Sequence, residues 1–135
     1  MVNKKVQRHR GAEAQSKKGY HNLLIWKKAK ELVFIIYRTT NEFPRSELYG
    51  LTSQARRATV SVLLNIVEGD RRRSRKEFLR FLDMADASLA ELEACLELAL
   101  GLKFIKEKDF GSVESKRKEL AVMLSAFIKA VKKQL

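Results

Sequence analysis

The sequence is short of the residues that punctuate a chain. One proline and six glycines in 135 residues are too few turn-formers for many short strands. The single cysteine, Cys95, has no partner for an internal disulfide, which points to a reducing, cytoplasmic setting. No apolar run approaches the roughly 18 residues a membrane-spanning helix needs, so no membrane contact is expected. The opening MVNKKVQRHRGAEAQSKKG is basic, but no apolar stretch follows it, unlike a secretory signal. Motifs for chemistry are also missing. There is no G-x-S-x-G, no phosphate-binding Walker loop and no C-x-x-C. Ser61, Ser88 and Ser125 have no histidine at helical spacing, and the two histidines, His9 and His21, lie far from the acidic stretch. Asp83, Asp86, Glu93 and Glu97 line one side of a helix, yet they lack the E-x-x-H partner of helical metal sites. Their expected use is to pair with basic surfaces of a neighbouring subunit. Glutamates near Cys95 would raise its pKa and keep it unreactive. A non-enzymatic protein without cofactor or metal is expected.

What the chain does have is charge and helical periodicity. It carries 28 Lys and Arg against 16 Asp and Glu, a formal charge of +12. Apolar residues make up 45% and charged residues 33%, suited to a folded helical domain. Basicity is spread along the chain except in residues 81–103, where five carboxylates face Lys103 alone. Residues 1–20 show no periodicity and are expected to form a flexible basic arm. Residues 21–135 are expected to form an all-α, antiparallel up-down-up-down four-helix bundle.

The first helix is expected from about His21 to Asn41, with Asn22 as N-cap and Ile25, Ala29, Leu32, Val33 and Ile36 as its apolar stripe. Phe43-Pro44 ends it. The second runs from Leu51 to about Glu68, with Gly69 as a left-handed C-terminal residue. The third opens on Ser74, with Glu77 completing a capping box. Its stripe is Phe78, Leu82, Ala85, Leu89, Leu92, Leu96 and Ala99, a heptad-like seam that Gly101 is expected to stop. The fourth begins between Lys106 and Ser112 and carries Leu120, Met123, Leu124, Phe127, Ile128 and Val131.

The second helix is apolar on two sides. Leu51, Ala55, Ala58, Val62 and Ile66 form one stripe, and at about 100° per residue Val60, Leu63, Leu64 and Val67 fall broadly opposite. A bundle helix has one inward face, so the second is expected to meet another subunit. Between them run Gln54, Arg57, Ser61, Asn65 and Glu68, expected as a hydrogen-bonding network that ties helices or subunits in register. The alternative use of that stripe is to line a binding channel.

Two basic clusters are candidates for phosphate contact. Arg71, Arg72, Arg73, Arg75, Lys76 and Arg80 gather at the start of the third helix, where free backbone N–H groups and the helix dipole also favour an anion. Lys116, Arg117 and Lys118, with Lys129, Lys132 and Lys133, form a second set on the fourth helix. Aromatic residues for base stacking are few around them, so recognition of phosphate and shape is expected, not of sequence.

The run Gln54-Ala55-Arg56-Arg57-Ala58-Thr59-Val60-Ser61, continuing through Asn65-Ile66-Val67-Glu68-Gly69, resembles the signature of the four-helix-bundle proteins encoded by intervening sequences of bacterial large-subunit ribosomal RNA genes. It is similar, too, to the accessory variability proteins of diversity-generating retroelements. Phe43-Pro44, Glu47, Tyr49-Gly50-Leu51, Ser74, Glu77-Phe78, Phe81-Leu82 and Ser88-Leu89-Ala90-Glu91-Leu92-Glu93 extend the likeness over about residues 22–130. Ala87 stands where a glycine is common, and Asp70-Arg71-Arg72-Arg73 is more basic than usual. The resemblance implies a four-helix protomer, a ring-like homopentamer with a basic surface, and nucleic acid, RNA or DNA, as partner. In the retroelement branch it also implies a reverse transcriptase. The function expected is that of an oligomeric nucleic-acid-binding adaptor. The alternative is a structural scaffold for a protein partner, with nucleic-acid binding incidental.

Overall fold

The computed structural model describes the backbone of residues 14–135 and the side chains from residue 24 onward. Four helices follow in order: α1 Ala14–Thr40, α2 Leu51–Asp70, α3 Arg75–Gly101 and α4 Glu107–Lys132, with a short 3-10 turn at Arg45–Glu47. Consecutive helices pack side by side, as short connections require, and α1 closes the bundle against α4. Among the described residues there is no strand, and no helix is long and apolar enough to cross a membrane.

Each inward stripe expected from periodicity is present, with its members Val33, Leu51 and Met123 only half-buried. Ile25, Ala29, Leu32 and Ile36 of α1 are buried, as are Ala55, Ala58, Val62 and Ile66 of α2. All seven seam residues of α3, from Phe78 to Ala99, are buried as well. Burial of this apolar surface, at roughly 25 cal/mol per Å², is the main force holding the helices together. A smaller cluster of Phe43, Ala99 and Ile105 seals one end, where the Phe43 and Phe104 rings stand 5.8 Å apart.

Helix ends depart from expectation in two places. α1 is already helical at Ala14, so it takes in residues assigned from sequence to the arm, and Asn22 lies inside the helix and cannot cap it. Residues 1–13 fall outside the described residues. α2 runs through Gly69 to Asp70 and closes on Arg71 in right-handed geometry, so Gly69 is not a left-handed terminator. Its role is steric. A Cβ there would stand 2.9 Å from Phe81 Cβ and 3.3 Å from the Phe78 carbonyl oxygen, so glycine lets α2 approach α3.

α3 ends at Gly101, as expected, and the left-handed residue beyond it is Lys103, at φ 66°. The Phe104 N–H donates to the Ala99 carbonyl at 2.8 Å and the Lys103 N–H to the Leu100 carbonyl at 3.0 Å. That is a Schellman closure with lysine in glycine's place. Lys103→Gly relieves the Cβ strain, about 1–2 kcal/mol, against a smaller entropy cost in the unfolded chain. A net gain of about 0.5–1 kcal/mol is expected, read as a higher urea midpoint at unchanged slope. A lower midpoint would show that the lysine side chain contributes more than its backbone costs.

Candidate nucleic-acid interface

The corner between α2 and α3 is built by local chemistry. Ser74, in extended geometry, accepts the Glu77 N–H at 3.0 Å and starts α3. The expected capping box is made on one side only, because the Glu77 carboxylate turns outward and pairs with Arg80 at 3.1 Å. Arg72 reaches back one turn to pair with Glu68. Arg72 and Arg80 both lie over the ring of Phe81, at 4.7 and 4.9 Å from its centre. Phe81 is buried beneath them, so it forms a platform that fixes two guanidinium groups. The sequence gives no sign of this, since Arg72 lies in the connection after α2 and Phe81 lies within α3.

Arg71, Arg73 and Lys76 are exposed, and Arg75 is half-buried. None of the four has an ion-pair partner among the described residues. They surround the first turn of α3, whose backbone N–H groups and dipole favour an anion. The corner is thus divided: Arg72 and Arg80 are oriented by carboxylates and an aromatic ring, while Arg71, Arg73 and Lys76 have no ion-pair partner among the described residues.

The fourth-helix cluster does not hold together as expected. Arg117 is buried, with its Nε and Nη2 donating to Glu114 at 2.8 and 2.7 Å and its Nη2 3.3 Å from Glu93 of α3. The hydrogen bond to Glu114 is the main cause that raises its pKa. It ties α3 to α4 and cannot serve as a phosphate ligand. Successive helical residues diverge by about 100°, so its neighbours part company. Lys116 lines an open groove of about 750 Å³ with Arg38, Lys103 and Lys106, whereas Lys118 borders the α3–α4 groove beside Asp86 and Glu93.

Lys129 borders that same α3–α4 groove, but with Lys132 and Lys133 it lies at the end of α4. The Phe127 ring meets Phe78 edge-on at 5.8 Å, which sets the last turns of α4 beside the first turn of α3. The exposed lysines at the end of α4 therefore share one end of the bundle with Arg71, Arg73 and Lys76. Antiparallel topology joins two clusters that lie about 55 residues apart in sequence. Cations at the C-terminus of α4 also oppose its dipole favourably.

The polar stripe of α2 is split as well. Ser61 Oγ lies 2.8 Å from Ser88 Oγ of α3, and Asn65 Nδ2 donates to Ser61 Oγ at 3.1 Å and to the Ser61 carbonyl at 2.9 Å. This central group ties α2 to α3 inside one protomer. Gln54 and Arg57 are exposed, and Glu68 is exposed and paired with Arg72. On the second apolar face Leu64 and Val67 are exposed and Val60 is half-buried. Leu63 instead packs against the protomer's own core. Cys95 is half-buried, and its thiol pKa is raised by desolvation and then by the charge of Glu91. No group of three or more His, Cys, Asp or Glu side chains is placed to hold a metal among the described residues.

Residues 21–126 match a family model described as 23S rRNA-intervening sequence protein. No curated protein matches the chain. The fold is similar to the crystal structure of a protein with unknown function from the S23 ribosomal protein family of Bacteroides thetaiotaomicron VPI-5482, with a TM-score of 0.74. The two are 23% identical, over 81% of this chain and 98% of that one. At that identity the likeness concerns the fold alone.

Proposed function

Because the chain belongs to the 23S rRNA-intervening sequence protein family, we propose that it is a non-enzymatic, oligomeric adaptor that binds nucleic acid through one basic end of its bundle. The observation that carries this reading is the meeting of the α2–α3 corner with the last turns of α4. Arg71, Arg73 and Lys76 are exposed there and unpaired among the described residues, Arg72 and Arg80 are held over Phe81, and Lys129, Lys132 and Lys133 stand alongside. Such a surface suits phosphates spaced along a strand and offers little for reading base edges. The oligomeric part rests on Leu64 and Val67, apolar side chains exposed on the outer side of α2. The family description names 23S rRNA, so an rRNA helix is the first duplex to test.

Binding to RNA and DNA duplexes is expected to fall steeply with salt and to differ little between sequences. On B-DNA each neutralised phosphate adds about 0.9 to the slope of log affinity against log salt. Replacing Arg71, Arg73 and Lys76 with alanine is therefore expected to lower that slope by about 3. Replacing Lys129, Lys132 and Lys133 is expected to act in the same direction. The pair Lys116→Ala and Lys118→Ala serves as control and is expected to leave the slope nearly intact. Equal effects from control and corner variants would mean that basicity acts diffusely. A parent protein that fails to bind at low salt would favour a scaffold for a protein partner.

A further inference from the structure

The end of the bundle away from the basic corner carries a groove that nucleic-acid binding at that corner leaves unused. The corner lies at the start of α3 and the groove at its end. α3 is 27 residues long, so about 40 Å separates the two. Both long walls are helical. Ile35, Arg38 and Thr39 come from α1, and Asp109, Val113 and Lys116 from α4. Each set recurs at three- and four-residue spacing, so it occupies one face of its helix. Residues 103–106, between α3 and α4, close one end. The opening, about 750 Å³, falls within the roughly 300–1,000 Å³ of small-molecule sites. Its floor is apolar: Ile105 and Val113 are buried, and Ile35 and Phe104 half-buried. The Phe104 ring is held by Phe43 at 5.8 Å, and the rest of its surface lines the groove.

Above that floor stand four exposed cations, Arg38, Lys103, Lys106 and Lys116. Two carboxylates, Glu42 and Asp109, share the groove. None of these six groups makes an ion pair among the described residues, so the rim keeps an excess of positive charge. Lys103 adds an independent observation. It holds the left-handed turn at φ 66°, a conformation that glycine adopts with less strain. Backbone strain of this kind concentrates at ligand sites, where the side chain has a use that outweighs it. What lysine supplies there, and glycine does not, is an ammonium group on the rim of the groove.

We propose that this groove binds a nucleoside polyphosphate, its phosphates among Arg38, Lys103, Lys106 and Lys116 and its base against the floor at Phe104. Four cations suit an anion that carries several charges, and the arginine fork suits phosphate oxygens. The apolar floor suits a flat ring. Glu42 and Asp109 repel phosphate but accept hydrogen bonds from sugar hydroxyls or a base amino group, which favours a nucleotide over a bare polyphosphate. The site is separate from the duplex-binding surface described above and does not depend on it.

Calorimetric titration with ATP tests this, with tripolyphosphate and adenosine as partial probes. ATP is expected to bind once per protomer and at least about tenfold more tightly than either partial probe. Lys103→Gly and Lys116→Ala are each expected to weaken ATP about tenfold, as for the loss of one charged hydrogen bond. The glycine variant is expected to gain stability, so its loss of binding is not a loss of fold, and Lys116→Ala, at an exposed helical position, repeats the comparison. The variant with Arg71, Arg73 and Lys76 replaced by alanine is expected to bind ATP as the parent does. A parent that does not bind ATP, or that binds tripolyphosphate as tightly, overturns the proposal. So does ATP binding that survives both groove changes, or that is lost with the corner arginines. Each of those results leaves the salt slope for duplexes where it stood, so the two sites fail separately.

Discussion

Gly69→Val is expected to destabilise the protein by about 3 kcal/mol, at the upper end of what overpacking a tight contact costs. The site leaves little room for relief. A Cβ on Gly69 would stand 2.9 Å from Phe81 Cβ, 3.0 Å from Phe78 Cδ1 and 3.3 Å from the Phe78 carbonyl oxygen. One of these is backbone and one sits next to it, so α2 and α3 must part for the side chain to enter. These two helices form the most extensive pair in the bundle. Helix propensity works the other way, since glycine inside a helix costs about 1 kcal/mol relative to alanine. Gly69→Ala therefore sets a gain of about 1 kcal/mol against an overpacking cost of about 1–3 kcal/mol, with a small net loss expected. Valine adds two methyl groups at the same point and has no such offset. For a chain of this length the valine variant is expected to melt roughly 10 °C lower. An alanine variant more stable than the parent would mean that the helices slide apart cheaply. The loss should extend to binding, because Phe81 carries Arg72 and Arg80.

Arg117→Ala is expected to cost about 2–3 kcal/mol. Breaking a buried ion pair by removing one partner typically costs about 3–5 kcal/mol. Here the side chains of Glu93 and Glu114 are 43% and 22% exposed, so water can take up part of what Arg117 leaves. The arginine side chain itself is 7% exposed, and its aliphatic stem fills the α3–α4 seam. Arg117→Met keeps most of that volume and removes the charge, so it separates packing from electrostatics. About 1 kcal/mol is expected for methionine, less than for alanine because its side chain restores the stem contacts. Denaturant midpoints for the two variants, measured with salt slopes for nucleic acid, check both roles together. Stability should fall while the slope stays near that of the parent. A variant that keeps its stability but loses slope would place Arg117 among the phosphate ligands after all.

Much of the bundle was legible in the sequence because amphipathic periodicity is a local property. The stripe from Phe78 to Ala99 and the cap at Ser74 need only neighbours within a turn or two. The acidic character of residues 81–103 was equally plain. The candidate interface was legible only as separate clusters. Its corner is present in the string Arg71-Arg72-Arg73, but not the fact that Arg72 lies over Phe81 while Arg71 and Arg73 are exposed.

By itself, then, the sequence determined that the chain forms helices, which side of each turns inward and where charge accumulates. Those outcomes follow from side-chain chemistry repeated at the helical period. Only the tertiary structure decided that Gly69 serves close approach, that Lys103 takes the left-handed turn, that Arg117 is bound to carboxylates, and that the end of α4 joins the α2–α3 corner. Each of these depends on the axial register between helices, which is set by how whole apolar faces interlock and is encoded at no single position.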